Sequence, residues 1–189
     1  TNTSNQCPKD SAYVVHATSA DGSASQQCHD VIGRPVRKLS TGFDGSWIAA
    51  DTEYDSIGRV SRNSQPFRAN NYAGYWTTID SYDLLGRPTA TTAPDGSQSS
   101  SSYRGYQISH TNAAGQTKTE TYNSLGEIIQ VTDNNYSSAD YQHDTAGQLV
   151  VMIDSAGNRT ELAYDSLGRK LSMNDPDKGV WQYQYNAFG

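Results

Sequence analysis

The chain has 189 residues, enough for one sizeable domain. Only 34% of them are hydrophobic and 18% charged, yet 13 Tyr and 3 Trp are spread along the length, and disordered chains are poor in aromatics. A net charge of −6 with no Lys/Arg run argues against nucleic acid, and no apolar stretch approaches a membrane span or signal-peptide core.

In chain order, the opening "TNTSNQCPKD" reads as a cut or processed end. Cys7 and Cys28 permit one disulfide. Positions one two-strand repeat apart lie about 9 to 10 Å apart across a sheet. A disulfide needs Cα atoms within roughly 7 Å. The bond therefore requires an irregular first repeat, and the sequence leaves it open. One pair also leaves the redox compartment open.

From there glycines set a beat: loosely at Gly22, Gly33, Gly45 and Gly58, then across "ANNYAG" to Gly86. Afterwards the step is regular: Gly96, Gly105, Gly115, Gly126, the "DNNY" stretch, Gly147, Gly157, Gly168, Gly179 and Gly189. Periodicity of this kind outranks other sequence signals. A step of ten residues leaves about six for a strand once the turn is removed. Residues 1–189 are read as one repeat region: a less regular first repeat over 1–30, looser repeats over 31–85 and regular ones over 86–189.

The turns "YDSIGR", "YDLLGR" and "YDSLGR" place Asp first and Gly fourth, which suits a type I turn followed by a left-handed Gly bulge. "APDGS" and "DPDKG" are further turn signals, and no segment keeps helical periodicity over three turns. This turn sets the register. Asp165 stands opposite Arg169, Tyr164 opposite Lys170, Tyr54 opposite Val60, Tyr82 opposite Pro88, Tyr122 opposite Ile128 and His143 opposite Leu149. Most are aromatic–aliphatic cross-strand pairs. The Asp–Arg pairs read as exposed and worth a few tenths of a kcal/mol up to about one. The expected fold is all-β: antiparallel hairpins of about 21 residues each, following one another in sequence order.

The unit ending in "YDxxGR" resembles the Rhs/YD repeat of bacterial Rhs toxins, the B and C components of Tc toxins, SpvB-like proteins and animal teneurins. Full copies are Tyr54-Asp55…Gly58-Arg59, Tyr82-Asp83…Gly86-Arg87 and Tyr164-Asp165…Gly168-Arg169. Weaker ones are His29-Asp30…Gly33-Arg34, Tyr122-Asn123…Gly126-Glu127, His143-Asp144…Gly147-Gln148 and Tyr185-Asn186…Gly189, with Tyr103-Arg104-Gly105 as a shortened turn. The resemblance covers residues 20–189. It implies a ribbon spiralling into a hollow shell around a C-terminal toxin segment, with Gly189 a cut inside a longer protein. A raw sheet edge follows, so the piece is expected to associate at high concentration.

Chemistry is sparse. HExxH, GxSxG, Walker and GxGxxG patterns are absent. His29 and His143 occupy the repeat's Tyr position and read as packing residues; His16 and His110 have no partner at ligand spacing. Asp133, Asp175 and Asp177 lie in oxygen-rich turns of the kind that hold calcium, but without the alternating ligand pattern, and read as turn caps. "NDPDKG" shares only Asp-Pro with the self-cleavage motif of Rhs shells, so no catalytic role passes to it. Sequons at Asn2, Asn135 and Asn158 are short matches and carry no weight. No catalytic, cofactor-binding or metal residue is assigned.

The leading reading is a non-enzymatic wall segment of an Rhs/Tc-type shell, secreted or at a bacterial surface. Its partner would be the rest of its own polypeptide, with no nucleic acid and no membrane insertion. The alternative is an adhesion or glycan-binding module that uses Trp47, Trp76 and Trp181 as stacking platforms.

Overall fold

β-branched and aromatic residues between Asp-Gly turns favour strands, and strands are what form. The computed structural model describes residues 6–70 and 74–186, and no helix occurs among them. Gly189, the sequon at Asn2 and the centre of "ANNYAG" lie outside the described residues. The chain divides into two units, 1–98 and 99–189.

The first unit holds β1 (Tyr13–Thr18), β2 (Ala24–His29), β3 (Pro35–Thr41), β4 (Trp47–Tyr54), β5 (Val60–Ser64), β6 (Phe67–Arg68), β7 (Trp76–Tyr82) and β8 (Pro88–Thr92). Each pairs antiparallel with the next until β4, which is long enough to serve two strands. Its Ala49 faces Phe67 of β6, and its Thr52–Tyr54 end faces β5. β5 then pairs with β7, and β7 with β8. One row across this sheet runs Gln26, Leu39, Ala49, Phe67. With Cys28 its apolar members form a core against which Cys7, Val36, Trp47 and Ala69 pack.

The second unit holds β9 (Gln98–Arg104), β10 (Gln107–Thr111), β11 (Thr117–Tyr122), β12 (Ile128–Thr132), β13 (Ser138–His143), β14 (Leu149–Ile153), β15 (Arg159–Tyr164), β16 (Lys170–Asp175) and β17 (Gly179–Gln182). They pair antiparallel in chain order. The turn at Gly105 is a short one, with Arg104 directly opposite Gln107.

Turn chemistry sets the register. Tyr54 faces Val60, Tyr82 faces Pro88, Tyr122 faces Ile128, His143 faces Leu149 and Tyr164 faces Lys170. In each turn the Asp accepts the Gly N–H and donates its own N–H to the Arg carbonyl, as at Asp165, at 3.0 and 2.9 Å. That is the type I turn with a Gly bulge.

A second irregularity was not legible. Hairpins whose turn follows the repeat's Tyr or His shift register between that aromatic and the residue before it: β2–β3, β4–β5, β7–β8 (which shifts a second time at Ile79/Ser81), β11–β12, β13–β14 and β15–β16. The hairpins between them, such as β3–β4, β10–β11, β12–β13 and β14–β15, run without a slip. Successive turns fall on opposite edges of a meander, so the bulges gather on one edge of each unit.

Candidate functional site

The bulged edge is where side-chain chemistry concentrates. Asp55 accepts the backbone N–H groups of Ile57 and Arg59 on Oδ1, at 3.0 and 2.9 Å, and Arg59 Nε on Oδ2, at 2.8 Å. Asp30, Asp83 and Asp165 repeat this pattern. Backbone N–H donation from Arg87 and Arg169 holds the Asp83 and Asp165 carboxyls below the ordinary range, against partial desolvation. At Asp30 and Asp55 desolvation is the largest influence and acts upward, but the combined bonds from Arg34 and Arg59 outweigh it, so these carboxyls are also lowered.

These pairs are not the open surface bridges that the sequence suggests. The Asp165 side chain is 18% exposed and Asp30 16%. What covers them is the next repeat. The Arg34 guanidinium lies over the Tyr54 ring at 4.3 Å, Arg59 over Tyr82 at 4.3 Å and Arg169 over Tyr185 at 4.7 Å. Each of those Tyr hydroxyls donates back to the residue that follows the Arg: Tyr54 to Pro35 O at 2.8 Å, Tyr82 to Val60 O, and Tyr185 to Lys170 O at 2.8 Å. That acceptor is the residue facing the earlier aromatic at the bulge, where the regular ladder is interrupted. Burial raises the Tyr54 and Tyr82 hydroxyl pKa values above the ordinary phenol value, so both stay donors. Tyr, Asp, Gly and Arg thus form a clamp between successive repeats. A cation–π contact contributes about 0.5–1 kcal/mol at exposed sites, and the hydroxyl bond about 1 kcal/mol.

The clamp is incomplete in the copies at Tyr122 and His143. Tyr122 donates instead to Glu120 Oε2 at 2.7 Å, and Asn123 replaces the turn Asp beside Gly126. At Asp144 the Arg position holds Gln148, whose Nε2 reaches Asp144 Oδ2 at 3.2 Å. Gly147 takes a φ of +81°, and a Cβ there would stand 2.9 Å from Glu127 Oε1 of the preceding repeat. The positive φ of the turn is what requires Gly here; the Glu127 carboxylate, at the end of a flexible side chain, lies close over it. One signal for the clamp was present in the sequence: where the aromatic is His143, the residue one repeat earlier is Glu127, not Arg.

The remaining candidates fall in separate places. Cys7 and Cys28 are joined in a disulfide with Cα atoms 5.7 Å apart; Cys7 lies outside any strand, the irregularity such a bond requires. Trp47 packs on the first unit's core, and Trp76 lies under the Arg62 guanidinium at 4.3 Å. Trp181 in the second unit is 52% exposed and donates Nε1–H to Lys178 O at 3.0 Å. His29 stacks on Tyr13, ring centroids 4.5 Å apart, and His16 is exposed. Asp133 and Asp175 cap their own turns, and Asp177 donates its backbone N–H to Asp175. Among the described residues no three His, Cys, Asp or Glu side chains gather as a metal site.

One hydroxyl–imidazole pair resembles a nucleophile and base: Ser101 Oγ and His110 Nδ1, 2.9 Å apart. The nearby Glu120 carboxylate is engaged by Lys118 and Tyr122, so it does not orient the imidazole. The backbone there is committed to strand pairing, which leaves no paired N–H donors for an oxyanion. The arrangement bonds strands together.

Comparison with known proteins agrees with this geometry. The RHS Repeat family model matches residues 143–180. Among curated proteins none matches in sequence. The fold is similar to the crystal structure of TcdB2-TccC3 without its hypervariable C-terminal region, at 18% identity and a TM-score of 0.53. It is also similar to a Tc holotoxin pore from Photorhabdus luminescens, at 19% and 0.51. Each alignment covers 87% of this chain and 12% of the other, so the chain spans about an eighth of those structures. Residues 143–180 therefore match the RHS Repeat family, and the chain shares the fold of the Tc-toxin structures over the part that aligns.

Proposed function

We propose that the chain is a length of wall in an Rhs/Tc-type β-shell that encloses a C-terminal toxin or effector segment of the same polypeptide. The observation that carries this reading is the clamp. Where it is complete it ties a repeat to its neighbour, so the structure can be lengthened by adding units, as in other repeat architectures. The work done is containment, and no catalytic step is assigned to these residues. The partner is the remainder of the polypeptide. The protein acts outside the cell or at its surface, where the Cys7–Cys28 disulfide persists. Among the described residues no helix is long and apolar enough to cross a membrane.

Turn tips on the bulged edge support the same reading. Ile32, Ile57 and Leu85 in the first unit are 70–78% exposed, and Leu125 and Leu167 repeat this in the second. The opposite edge carries Asp21, Asp44 and Asp95 at the matching positions of the first unit. A row of exposed aliphatics on one edge fits a wall whose successive turns cover one another. The test is limited proteolysis of the full parent polypeptide. The C-terminal segment should resist protease in the parent and become accessible in the Ile32→Ser/Ile57→Ser/Leu85→Ser variant. Rapid cleavage of that segment in the unaltered parent would overturn containment.

A further inference from the structure

One turn breaks the rule of the others. In "DNNYS" the position that elsewhere holds Gly is Tyr136, with φ +61°. It is the one non-Gly residue at positive φ among the described residues. The turn is otherwise ordinary: the Tyr136 N–H donates to Asp133 O at 3.1 Å, as Gly115 does to Asn112 at 2.9 Å. A bulky side chain is strained in this region, and Gly would relieve the strain. Packing does not compensate, because Tyr136 is 91% exposed. The fold gains nothing from this ring.

The groups beside it are those that bind a polyol. Asn135 and Asn134 line an open groove of about 650 Å³ together with Ser101, His110, Lys118 and Asp133. Asp133 commits Oδ1 to the backbone N–H groups of Asn135 and Ser137, at 2.8 and 2.9 Å. Its Oδ2 and the Asn135 side-chain amide have no partner among the described residues. Asn134 accepts the Thr117 N–H at 3.3 Å, which bridges its turn to the neighbouring strand and fixes this side of the groove. An exposed aromatic ring next in chain to an unpaired carboxylate oxygen and amide suits a pyranose, with ring C–H groups against the aromatic and hydroxyls on the polar atoms.

We propose that the 133–136 turn, at the rim of this groove, forms a saccharide-binding site, with the exposed Tyr136 ring outside the groove as stacking platform and Asp133 and Asn135 as hydroxyl partners. The site is independent of Trp47, Trp76 and Trp181 and of the containment reading. Saturation-transfer NMR on this chain, with methyl β-galactoside, methyl α-mannoside and chitotriose at about 10 mM each, tests it across the weak-affinity range. At least one sugar should bind, and Tyr136→Phe should keep it. Tyr136→Gly should weaken binding by about tenfold or more, while its melting temperature stays equal or rises. Asp133→Asn, which keeps the turn cap, should weaken binding as well. Absence of transfer with all three sugars would overturn the proposal, as would full binding by Tyr136→Gly. A fall in melting temperature in Tyr136→Gly would give the ring a structural role and would also count against it.

Discussion

The two units use the same hairpin and stabilise it differently. In the first, Cys28, Leu39, Ala49 and Phe67 are buried, Cys7 is bonded beneath them, and complete clamps join Arg34 to Tyr54 and Arg59 to Tyr82. In the second, only Val151 and Thr160 fall in the buried class among the described residues, and a complete clamp joins Arg169 to Tyr185. Cross-strand hydroxyls take over much of the contact there: Ser109 with Thr119 and Thr111 with Thr117, both at 2.8 Å. A single-layer meander has little apolar area of its own to bury. The second unit therefore relies on ladder bonds and neighbour contacts, and the first adds a core.

Core deletion should break the comparison most strongly. Leu39→Ala removes a side chain only 3% exposed and should cost about 3 kcal/mol. Amide exchange would show protection falling across residues 24–54, with residues 138–175 little changed. Equal losses in both segments would mean that the difference in burial has no energetic consequence. Reducing the Cys7–Cys28 bond comes next. Closing a loop of this size restrains the unfolded chain by about 3 kcal/mol. Denaturant unfolding with and without reductant should show that loss in the first unit alone.

Much of this was legible in the sequence. Asp and Gly spacing fixes turn type, turn type fixes register, and so Tyr54 opposite Val60 follows from local chemistry. The bulge beside each repeat aromatic was not legible, because turn chemistry sets only the pairing nearest the turn; it forms also at Tyr122, where the next repeat supplies His143 and no hydroxyl. The clamp was hidden for a different reason, its reach across a whole repeat. Arg59 reads as the partner of Asp55 within five residues, whereas its second contact, the Tyr82 ring, lies 23 residues on. Nor does sequence alone reveal that Tyr136 stands at positive φ; the missing Gly in "DNNYS" was the only hint. The split at residue 98 has no composition shift to mark it.

Breaking a clamp should have an intermediate effect. Arg59→Ala removes the cation over Tyr82 and the partner of Asp55, and should cost about 1–2 kcal/mol. Arg59→Lys should recover little of it, because an ammonium lacks the planar fork that meets Asp55 and stacks on the ring together. Full recovery by Lys would reduce the clamp to simple charge. Acid gives an independent reading. Asp55 is lowered in the folded protein, so its contribution is fully present above the ordinary value of 3.8 and is lost as pH falls through the lowered value. Asp55→Asn keeps the turn bonds and loses the charge. Parent and variant melting temperatures should differ above that ordinary value and converge in stronger acid.

The smallest predicted effect tests the comparison by addition. Gln148 occupies the Arg position one repeat before Tyr164, already reaches Asp144, and has a buried Oε1 with no partner. Gln148→Arg removes that unpaired acceptor, supplies Asp144 with an Nε donor and offers a guanidinium to the Tyr164 ring. It should stabilise the second unit by about 0.5–1 kcal/mol. A gain confined to residues 138–175 would show that the repeat's Tyr and Arg are an interchangeable part, fitted wherever two neighbours supply both halves. No gain would place the strength of the first-unit clamps in their surroundings, with the core beneath them holding ring and cation in register. The motif would then be only a marker of the turn.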